Sequence, residues 1–232
     1  MNLTVKEAAK LLNTTENKIY RLISDEHLPA YRVEDKYRLN RVELLEWATS
    51  RGMKVSPEIF RGNEEPVPSE LLAQSLQRGG QIADLDAPDK RAVLRAVCDR
   101  IVLPAGVNRD DLYSVLLARE TLGSTAIGNG IAIPHPRGPI IMGVQDPEVT
   151  LVYLRNPIDF GAVDGQPVSI LFVIVSPSVR YHLNLLSHLM YALQDADFQA
   201  LLAARASAEQ IVKQVVAVET RLAGGGAKGA AT

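Results

Sequence analysis

Several features are scarce in this 232-residue sequence, and each absence excludes a class of protein. The single cysteine, Cys98, cannot form a disulfide within the chain and therefore suits a reducing compartment. The longest apolar run, near Ile170 to Val175, is far shorter than the roughly 20 residues that a membrane-spanning helix needs. The first residues carry no apolar signal region, so we expect a cytoplasmic location without membrane insertion.

A strong imbalance of charge is also missing, because the net charge is only −2. The chain as a whole therefore offers no electrostatic case for binding nucleic acid. What the sequence does have is 47% apolar residues, enough for the cores of one large or two modest domains. Glycine, proline and acidic residues cluster in residues 52–68, which predicts a linker between two domains.

Residues 1–51 have the pattern of a small helical domain with a hairpin. The segment from Thr4 to Glu7 is a capping box that opens a short helix, and after a polar turn Thr14 or Thr15 can cap a second helix. Apolar and polar residues then alternate through residues 31–39, which predicts a small hairpin. The sequence therefore favours a helix-turn-helix arrangement followed by a wing.

Asn40 and Glu43 form another N-cap pair, which opens a third helix. The order of helix, turn, helix, hairpin and helix resembles the winged DNA-binding domains related to excisionase and MerR. The opening segment LTVKEAAKLL and the closing segment RLNRVELLEW are similar to that family as well. The hairpin tip departs from it, because Glu34 and Asp35 stand where a glycine-rich basic tip is common.

This resemblance implies that residues 1–51 bind DNA through the second helix and the wing. The segment contains nine basic and eight acidic residues, a net charge of about +1, so a protein-docking module is the alternative. So small a charge supports few phosphate contacts, and we expect a homo-oligomer that engages two half-sites. The candidate DNA-binding residues are Asn17, Lys18, Arg21, Arg32, Lys36, Arg38 and Arg41.

The remainder of the chain alternates predicted helices and strands. Residues 149–154 and 168–175 are apolar strands, and the second is continuous enough to be buried on both faces. The helices are predicted from Ser69 as a cap, from Ala87 to Leu103 with Asp86 as a cap, from Tyr181 to about Leu193, and within 196–222. This alternation predicts an α/β sandwich with a central mixed sheet, and the glycine-rich residues 223–232 predict a flexible tail.

The segment from Gly123 to His135 is the most informative part of the sequence. Three glycines precede a short apolar strand, which ends in His135 between Pro134 and Pro136. Glycines let backbone N–H groups approach a ligand closely. A histidine held rigidly beside such a loop is suited to the transfer of an anionic group, such as a phosphoryl group. The lysine of a nucleotide-binding P-loop is absent.

This segment resembles the phosphoryl-accepting site of phosphotransferase-system (PTS) enzyme IIA domains of the fructose, mannitol and nitrogen-regulatory type. FGAVDGQPV at residues 160–168 is similar to the family's link between two strands, and HLNLL at 182–186 is similar to the start of a helix with a second active-site histidine. The resemblance covers roughly residues 68–222, so we expect a phosphoryl-accepting domain at 69–222.

The resemblance implies that His135 accepts the phosphoryl group and that His182 and Arg119 assist its transfer. We expect the phosphoryl oxygens to be stabilised by Thr125, Gly128, Asn129 and Gly130. The implied donor is a histidine phosphocarrier protein, and a IIB domain or a regulatory target is a further possible partner. No cofactor is implied, and no metal site is expected, because His135, His182 and Cys98 lack the short spacing of metal ligands.

The sequence therefore predicts a phosphorelay regulator, in which phosphorylation of His135 is coupled to DNA binding and so to transcription. Such a protein is a phosphocarrier with a phosphohistidine intermediate rather than an enzyme acting on a small molecule. The alternative is a IIA phosphocarrier for a separately encoded sugar permease, with residues 1–51 as a docking module.

Overall fold

The computed structural model describes residues 2–33, 36–51, 53, 55–56, 68–103, 107–136 and 144–226. The chain divides into two units, Met1–Glu64 and Glu65–Thr232, each with its own core. The predicted wing tip, Glu34 and Asp35, and most of the predicted linker lie outside the described residues. None of the helices in the described ranges combines the length and apolarity needed to cross a bilayer.

The described residues of the N-terminal unit form three helices and a three-stranded antiparallel sheet, as expected for a helix-turn-helix domain with a wing. The strands lie in the order β1-β3-β2. The elements are β1 (Asn2–Thr4), α1 (Val5–Leu11), α2 (Glu16–Asp25), β2 (Tyr31–Val33), β3 (Lys36–Asn40) and α3 (Arg41–Ser50). Strand β1 is absent from the sequence prediction, because three residues are too few to show an alternating pattern.

Two predicted caps fix where the helices of this unit begin. Thr4 Oγ1 accepts a hydrogen bond from the Glu7 N–H at 3.2 Å, and Thr4 N–H donates to Glu7 Oε2 at 2.8 Å, so the capping box is confirmed. Thr15 Oγ1 accepts from the Lys18 N–H at 3.3 Å and caps α2. The caps set the register of α2, so that Ile19 and Leu22 face the core.

The C-terminal unit has a five-stranded mixed sheet in the order β4-β7-β8-β6-β5. This agrees with the α/β sandwich with a central mixed sheet that the sequence predicts. Its strands are β4 (Gln81–Leu85), β5 (Ala126–Gly128), β6 (Ile131–Ala132), β7 (Glu148–Ile158) and β8 (Val168–Val175). Strand β4 runs parallel to its neighbour β7, and β6 runs parallel to its neighbour β8. The other two pairs, β7 with β8 and β5 with β6, are antiparallel. Its helices are α4 (Leu71–Gly79), α5 (Lys90–Arg100), α6 (Arg109–Leu122), α7 (Val179–Ala192), α8 (Ala196–Ala203) and α9 (Ala208–Gly226).

Helices cover both faces of this sheet, which explains the continuous apolar sequence of β8. Leu171 and Val173 point into the core formed with α5 and α6. The intervening Phe172 points to the other face, where its ring centre lies 6.4 Å from that of Phe198 on α8. Because successive side chains of a strand alternate between faces, a strand buried on both sides is apolar along most of its length, and in β8 only the half-buried Ser169 near its start is polar.

Helix α5 begins later than the sequence predicts, at Lys90 rather than Ala87. The cap is Asp89, whose Oδ1 accepts a hydrogen bond from a backbone N–H of the first turn at 2.8 Å. Pro88 explains the difference, because a proline disfavours the helical conformation in the residue before it. Asp86, the predicted cap, instead forms an ion pair with Arg155 on β7.

Helix α4 also differs from its prediction, because Ser69 does not cap it. The N-cap residue is Glu70, which makes no side-chain cap bond. The carboxylate of Glu219 on α9 accepts from the N–H groups of Leu72 and Ala73, at 2.8 and 3.1 Å. A cap contributed by another helix leaves no local sequence signal. At its far end, α9 continues to Gly226, through residues 223–226 of the predicted flexible tail; residues 227–232 lie outside the described residues.

Gly79, at the end of α4, allows this helix to pack closely on β7. A Cβ atom at this position would lie 2.4 Å from the carbonyl oxygen of Val149. Any side chain would therefore force the helix away from the strand. Together with the Glu219 cap, this contact fixes α4 between the sheet and α9.

Candidate functional site

Two histidines from distant parts of the chain lie side by side in the C-terminal unit. The ring centres of His135 and His182 are 4.8 Å apart, with an angle of 50° between the ring planes. Both side chains are buried, exposing 4% and 1% of their surfaces. The structure thus brings together the two histidines that the sequence singles out.

The backbone directly before His135 is held by hydrogen bonds to Thr125 and to β8. The Ile133 N–H donates to the carbonyl of Thr125 at 3.0 Å, and the Ile174 N–H of β8 donates to the carbonyl of Pro134 at 3.0 Å. Residues 133–135 therefore continue the extended backbone of β6, and His135 lies beyond the Ala126 end of β5. The ring is positioned by rigid sheet structure rather than by a free loop.

A hydrogen bond to the backbone orients the His135 ring. Its Nδ1 lies 2.7 Å from the carbonyl oxygen of Ile133. A carbonyl oxygen only accepts, so Nδ1 must carry the proton and donate it. In the neutral imidazole Nε2 is then the unprotonated nitrogen, which bears the lone pair. The geometry thus makes Nε2 the ring nitrogen with nucleophilic character.

His182 lies in the first turn of α7, as the sequence predicts. Ser178 is the N-cap, and its Oγ accepts from the Tyr181 N–H at 3.3 Å. The His182 N–H donates to the Ser178 carbonyl at 3.0 Å, which is the first hydrogen bond of the helix. A helix N-terminus carries a partial positive charge and favours an anionic group nearby.

Arg119 lies in the last turn of α6, directly before the glycine-containing loop. Its Nη1 donates to the carbonyl of Gly123 at 2.9 Å. This loop leads to Thr125, whose carbonyl contacts the strand that carries His135. The guanidinium is thus anchored to the loop beside that strand, with the forked donor geometry that suits phosphoryl oxygens.

Thr125, a predicted donor to the phosphoryl group, directs its polar groups to a carboxylate instead. Its N–H and its hydroxyl both donate to Oε2 of Glu120, at 3.0 and 2.6 Å. Glu120 is buried and is absent from the sequence prediction. The sequence does carry a signal for Glu120, which is an acidic residue near the end of a predicted helix. Its charge opposes the helix dipole there and therefore needs a local partner.

The Gly128–Asn129–Gly130 turn lies at the opposite end of the β5–β6 hairpin from His135. His135 follows Gly130 by five positions along an extended segment, a span of roughly 16 Å. The Asn129 N–H donates to Asp164 Oδ2 at 2.8 Å. The structure does not bring this turn to the two histidines. Its glycines and Asn129 instead form the turn that closes the β5–β6 hairpin.

Backbone conformation favours glycine in this turn, and a side chain at position 128 would also displace the Asp164 carboxylate. Gly128 has a φ of 92°, and a Cβ atom there would lie 2.9 Å from Asp164 Oδ2. Asp164 also accepts from the Gln166 N–H at 3.1 Å. These two backbone hydrogen bonds, from Asn129 and Gln166, hold the pKa of the Asp164 carboxyl below its usual value. The pairing clamps the hairpin to the link between β7 and β8.

Cys98 belongs to the core of the C-terminal unit, on the buried side of α5. Burial raises the pKa of its thiol to about 12. A thiol with so high a pKa is a poor metal ligand and a poor nucleophile near neutral pH. Its role in the described structure is apolar packing.

In the N-terminal unit, the predicted DNA-binding residues of α2 lie on its exposed face. Asn17, Lys18 and Arg21 point away from the core, and Lys18 Nζ is 3.7 Å from Glu26 Oε1 in a solvent-exposed pair. Lys36 and Arg38 lie on β3 of the same unit. Of Arg32 and Arg41 the structure describes only the backbone, in β2 and at the start of α3.

Sequence reasoning missed Tyr20, which lies on this same exposed face of α2. Its side chain is 47% exposed, and its ring centre is 6.0 Å from that of Tyr37 on β3, edge to face. The signal in the sequence is an aromatic residue between Lys18 and Arg21 on a helix whose buried side is already filled by Ile19 and Leu22.

Comparison with known proteins gives two family matches. Residues 76–217 match the family described as phosphoenolpyruvate-dependent sugar phosphotransferase system, EIIA 2. Residues 3–52 match a helix-turn-helix domain family. The first match covers more than half of the chain and includes Arg119, His135 and His182.

Individual relatives resemble the C-terminal unit. A nitrogen regulatory protein of Pseudomonas aeruginosa is 36% identical over 152 residues, which span 64% of this chain and 96% of that protein. A PTS system fructose-specific EIIA component of Haloferax volcanii is 35% identical over 112 residues, 47% of this chain and 70% of that protein.

Among solved structures, nitrogen regulatory protein IIA-Ntr of Neisseria meningitidis superposes with a TM-score of 0.52 at 27% identity. The superposition covers 64% of this chain and 94% of that one. The family matches, these relatives and the mixed sheet with its paired histidines lead to one conclusion. The chain belongs to the PTS EIIA 2 family and carries a helix-turn-helix domain in front of its EIIA domain.

Proposed function

We propose that this protein is a cytoplasmic phosphorelay regulator. In this proposal His135 accepts a phosphoryl group from a histidine phosphocarrier protein, and its phosphorylation alters DNA binding by the N-terminal unit. The observation that carries the proposal is the hydrogen bond from His135 Nδ1 to the Ile133 carbonyl, beside the ring of His182. It leaves Nε2 as the nucleophile next to a second imidazole.

The proposed transfer exchanges one phosphorus–nitrogen bond for another. The lone pair of His135 Nε2 attacks phosphorus while the bond to the donor's histidine breaks and that histidine leaves as a neutral imidazole. The proton on His135 Nδ1 stays in place, so the product is a phosphorylated imidazolium. The Ile133 carbonyl oxygen, 2.7 Å from Nδ1, faces the positive charge that develops on this ring.

His182 and Arg119 are proposed to stabilise the phosphoryl oxygens during transfer. The imidazole of His182 can donate a hydrogen bond, and the N-terminus of α7 adds a partial positive charge. Arg119 supplies a cationic fork anchored on the Gly123 carbonyl. Positioning and charge stabilisation account for most of the catalysis in phosphoryl transfer, so no metal is required by this scheme.

The N-terminal unit is proposed to bind DNA through α2. This helix is the second of the helix-turn-helix and presents Asn17, Lys18 and Arg21 to solvent. With a net charge near +1, one unit makes few phosphate contacts, so we propose that two copies bind two half-sites. Phosphorylation adds roughly −1.5 to −2 charges to the protein and could change how the paired units are presented to DNA.

A second candidate function is a phosphocarrier that passes the phosphoryl group to a IIB domain of a separate sugar permease. The resemblance to a fructose-specific EIIA component favours it. In that case the N-terminal unit docks to a protein rather than to DNA.

The test is a phosphorylation assay with phosphoenolpyruvate, enzyme I and the phosphocarrier protein, on wild type and His135→Ala. The proposal expects an acid-labile, alkali-stable label on the wild type and none on the variant. DNA selection with phosphorylated and unphosphorylated protein then separates the two functions. Selective DNA binding that changes on phosphorylation supports the regulator, whereas unselective binding together with restored sugar phosphorylation supports the carrier.

A further inference from the structure

We propose that Glu120 is a positioning residue for the phosphoryl acceptor, acting on the His135 ring through Thr125 and Ile133. The inference rests on the proposed function of His135 and adds a residue outside the two histidines and the arginine. The positioning role concerns the orientation of the His135 ring in the unphosphorylated protein, so it can be tested separately from phosphoryl transfer.

The carboxylate of Glu120 forms a buried junction between three parts of the unit. Its side chain is 3% exposed at the end of α6. Oε2 accepts the N–H and the hydroxyl of Thr125, at 3.0 and 2.6 Å, and Oε1 lies 3.4 Å from Lys90 Nζ at the start of α5. A buried carboxylate is tolerated only with such compensation, so its partners are fixed in place.

From this junction, hydrogen bonds lead to the His135 imidazole in two further steps. The Thr125 carbonyl accepts from the Ile133 N–H at 3.0 Å. The Ile133 carbonyl in turn accepts from His135 Nδ1 at 2.7 Å. Glu120 thus restrains Thr125 from one side, and Thr125 restrains the residue that orients the ring.

The coupling along this path is mechanical. The N–H and the carbonyl of Thr125 belong to different peptide groups, as do those of Ile133, so the charge of Glu120 does not polarise the path through one amide. What Glu120 controls is the position of the backbone. If Thr125 shifts, the Ile133 carbonyl shifts with it, and the hydrogen bond that keeps the proton on Nδ1 weakens.

The placement of Glu120 argues against a role in helix stability. A negative charge in the last turn of α6 faces the negative end of the helix dipole, which destabilises the helix itself. A hydrogen bond to a charged acceptor is roughly twice as strong as one between neutral groups. The carboxylate therefore strengthens the loop before His135 at the expense of the helix that carries it.

The test compares Glu120→Ala and Glu120→Gln with wild type, by ¹⁵N NMR of the His135 ring and by the initial rate of phosphorylation. Glutamine keeps one oxygen that can accept both donors of Thr125, whereas alanine keeps none. We expect Glu120→Ala to mix the two neutral tautomers of His135 and to slow phosphorylation by about 10- to 100-fold. Glu120→Gln should restore most of both.

A matched control separates positioning from loss of stability. Val215→Ala removes core volume in α9, away from this path, and should lower the melting temperature without changing the tautomer or the rate. If Glu120→Ala unfolds the unit, Thr125→Val tests the same path by removing only the hydroxyl. Wild-type tautomer populations and rate in a folded Glu120→Ala or Thr125→Val variant would overturn the inference.

The NMR readout also separates this inference from the proposed function. A tautomer that shifts in Glu120→Ala, in a protein that no phosphocarrier labels, would support the positioning role and contradict the phosphoryl-transfer proposal. An unchanged tautomer in a Glu120→Ala protein that is labelled normally would contradict the positioning role and support the phosphoryl-transfer proposal.

Discussion

The imidazole of His188 on α7 is hydrogen-bonded to the buried carboxylate of Glu219 on α9, with 2.5 Å between Nδ1 and Oε1. The same carboxylate accepts the N–H groups of Leu72 and Ala73 at the start of α4. One side chain therefore joins three helices beside a cavity of about 160 Å³. Because α7 also carries His182, this junction holds the helix of the functional site in place.

Replacing Glu219 with alanine should strongly destabilise the C-terminal unit. The substitution leaves two buried N–H groups of α4 and the His188 ring without their acceptor, and we expect a loss of roughly 3 kcal/mol or more in the free energy of unfolding. Urea denaturation measures it. The control is Glu209→Ala, an exposed residue of the same helix, whose effect should stay below about 1 kcal/mol. Equal effects of the two substitutions would contradict the role of the junction.

His182→Ala should still be phosphorylated, but slowly. Removing one pre-organised donor costs about 10²- to 10³-fold in rate, whereas removing the nucleophile in His135→Ala should abolish labelling. The measurement is the initial rate of incorporation of labelled phosphate from the phosphocarrier protein. Tyr191→Ala, at an exposed position further along the same helix and outside the Glu219 junction, is the control and should be labelled near the wild-type rate. Wild-type labelling of His182→Ala would place this ring outside the transfer step.

Cys98 should resist thiol reagents while the protein is folded. With its pKa raised to about 12 by burial, the thiolate at pH 8 amounts to roughly one part in ten thousand, and the sulfur is covered by the core. We expect rapid labelling only after denaturant unfolds the C-terminal unit, and the label should follow the unfolding curve measured by circular dichroism. Fast labelling in buffer would show that α5 opens locally.

The Asp164 clamp should stabilise the protein at neutral pH but not in acid. Its folded pKa is lowered by hydrogen bonds from Asn129 and Gln166 N–H, so its contribution is complete above the ordinary aspartate pKa of about 3.9 and is lost as the pH falls through the lower folded value. The melting temperature of Asp164→Ala should therefore lie below that of wild type at pH 7 and converge with it in acid. A difference that stays constant down to pH 2 would contradict this origin.

The parts of the fold that were predicted correctly have short-range signals. The Thr4 capping box, the Thr15 cap and the continuous apolar run of β8 each depend on residues within one turn or one strand. Strands β4 and β5 were missed, because segments this short carry no decisive periodicity. The predicted start of α5 is wrong by three residues, because Pro88 disfavours a helical conformation at Ala87.

The site was predictable only where a motif defines it. His135 and His182 were identified through their resemblance to a family, and the fold places them together. The partners that shape the site depend on distant pairing. Glu120 binds Thr125 across a loop, and Asp164 binds the Asn129 N–H from another part of the sequence. The distance between the glycine-rich turn and His135 does have a local signal, because the predicted strand between them spans roughly 16 Å.

The DNA-binding proposal predicts a change in both affinity and salt dependence for the full-length double variant Lys18→Ala, Arg21→Ala. Each phosphate contact contributes about 0.9 to the slope of log affinity against log salt concentration, so losing two contacts should lower the slope by about 2. Fluorescence anisotropy with a selected DNA site at several salt concentrations measures it. The double variant Arg91→Ala, Lys213→Ala changes the net charge equally in the C-terminal unit and should leave the slope unchanged. Equal effects of the two variants would mean that binding follows overall charge rather than α2, and would favour a protein-docking role for this helix.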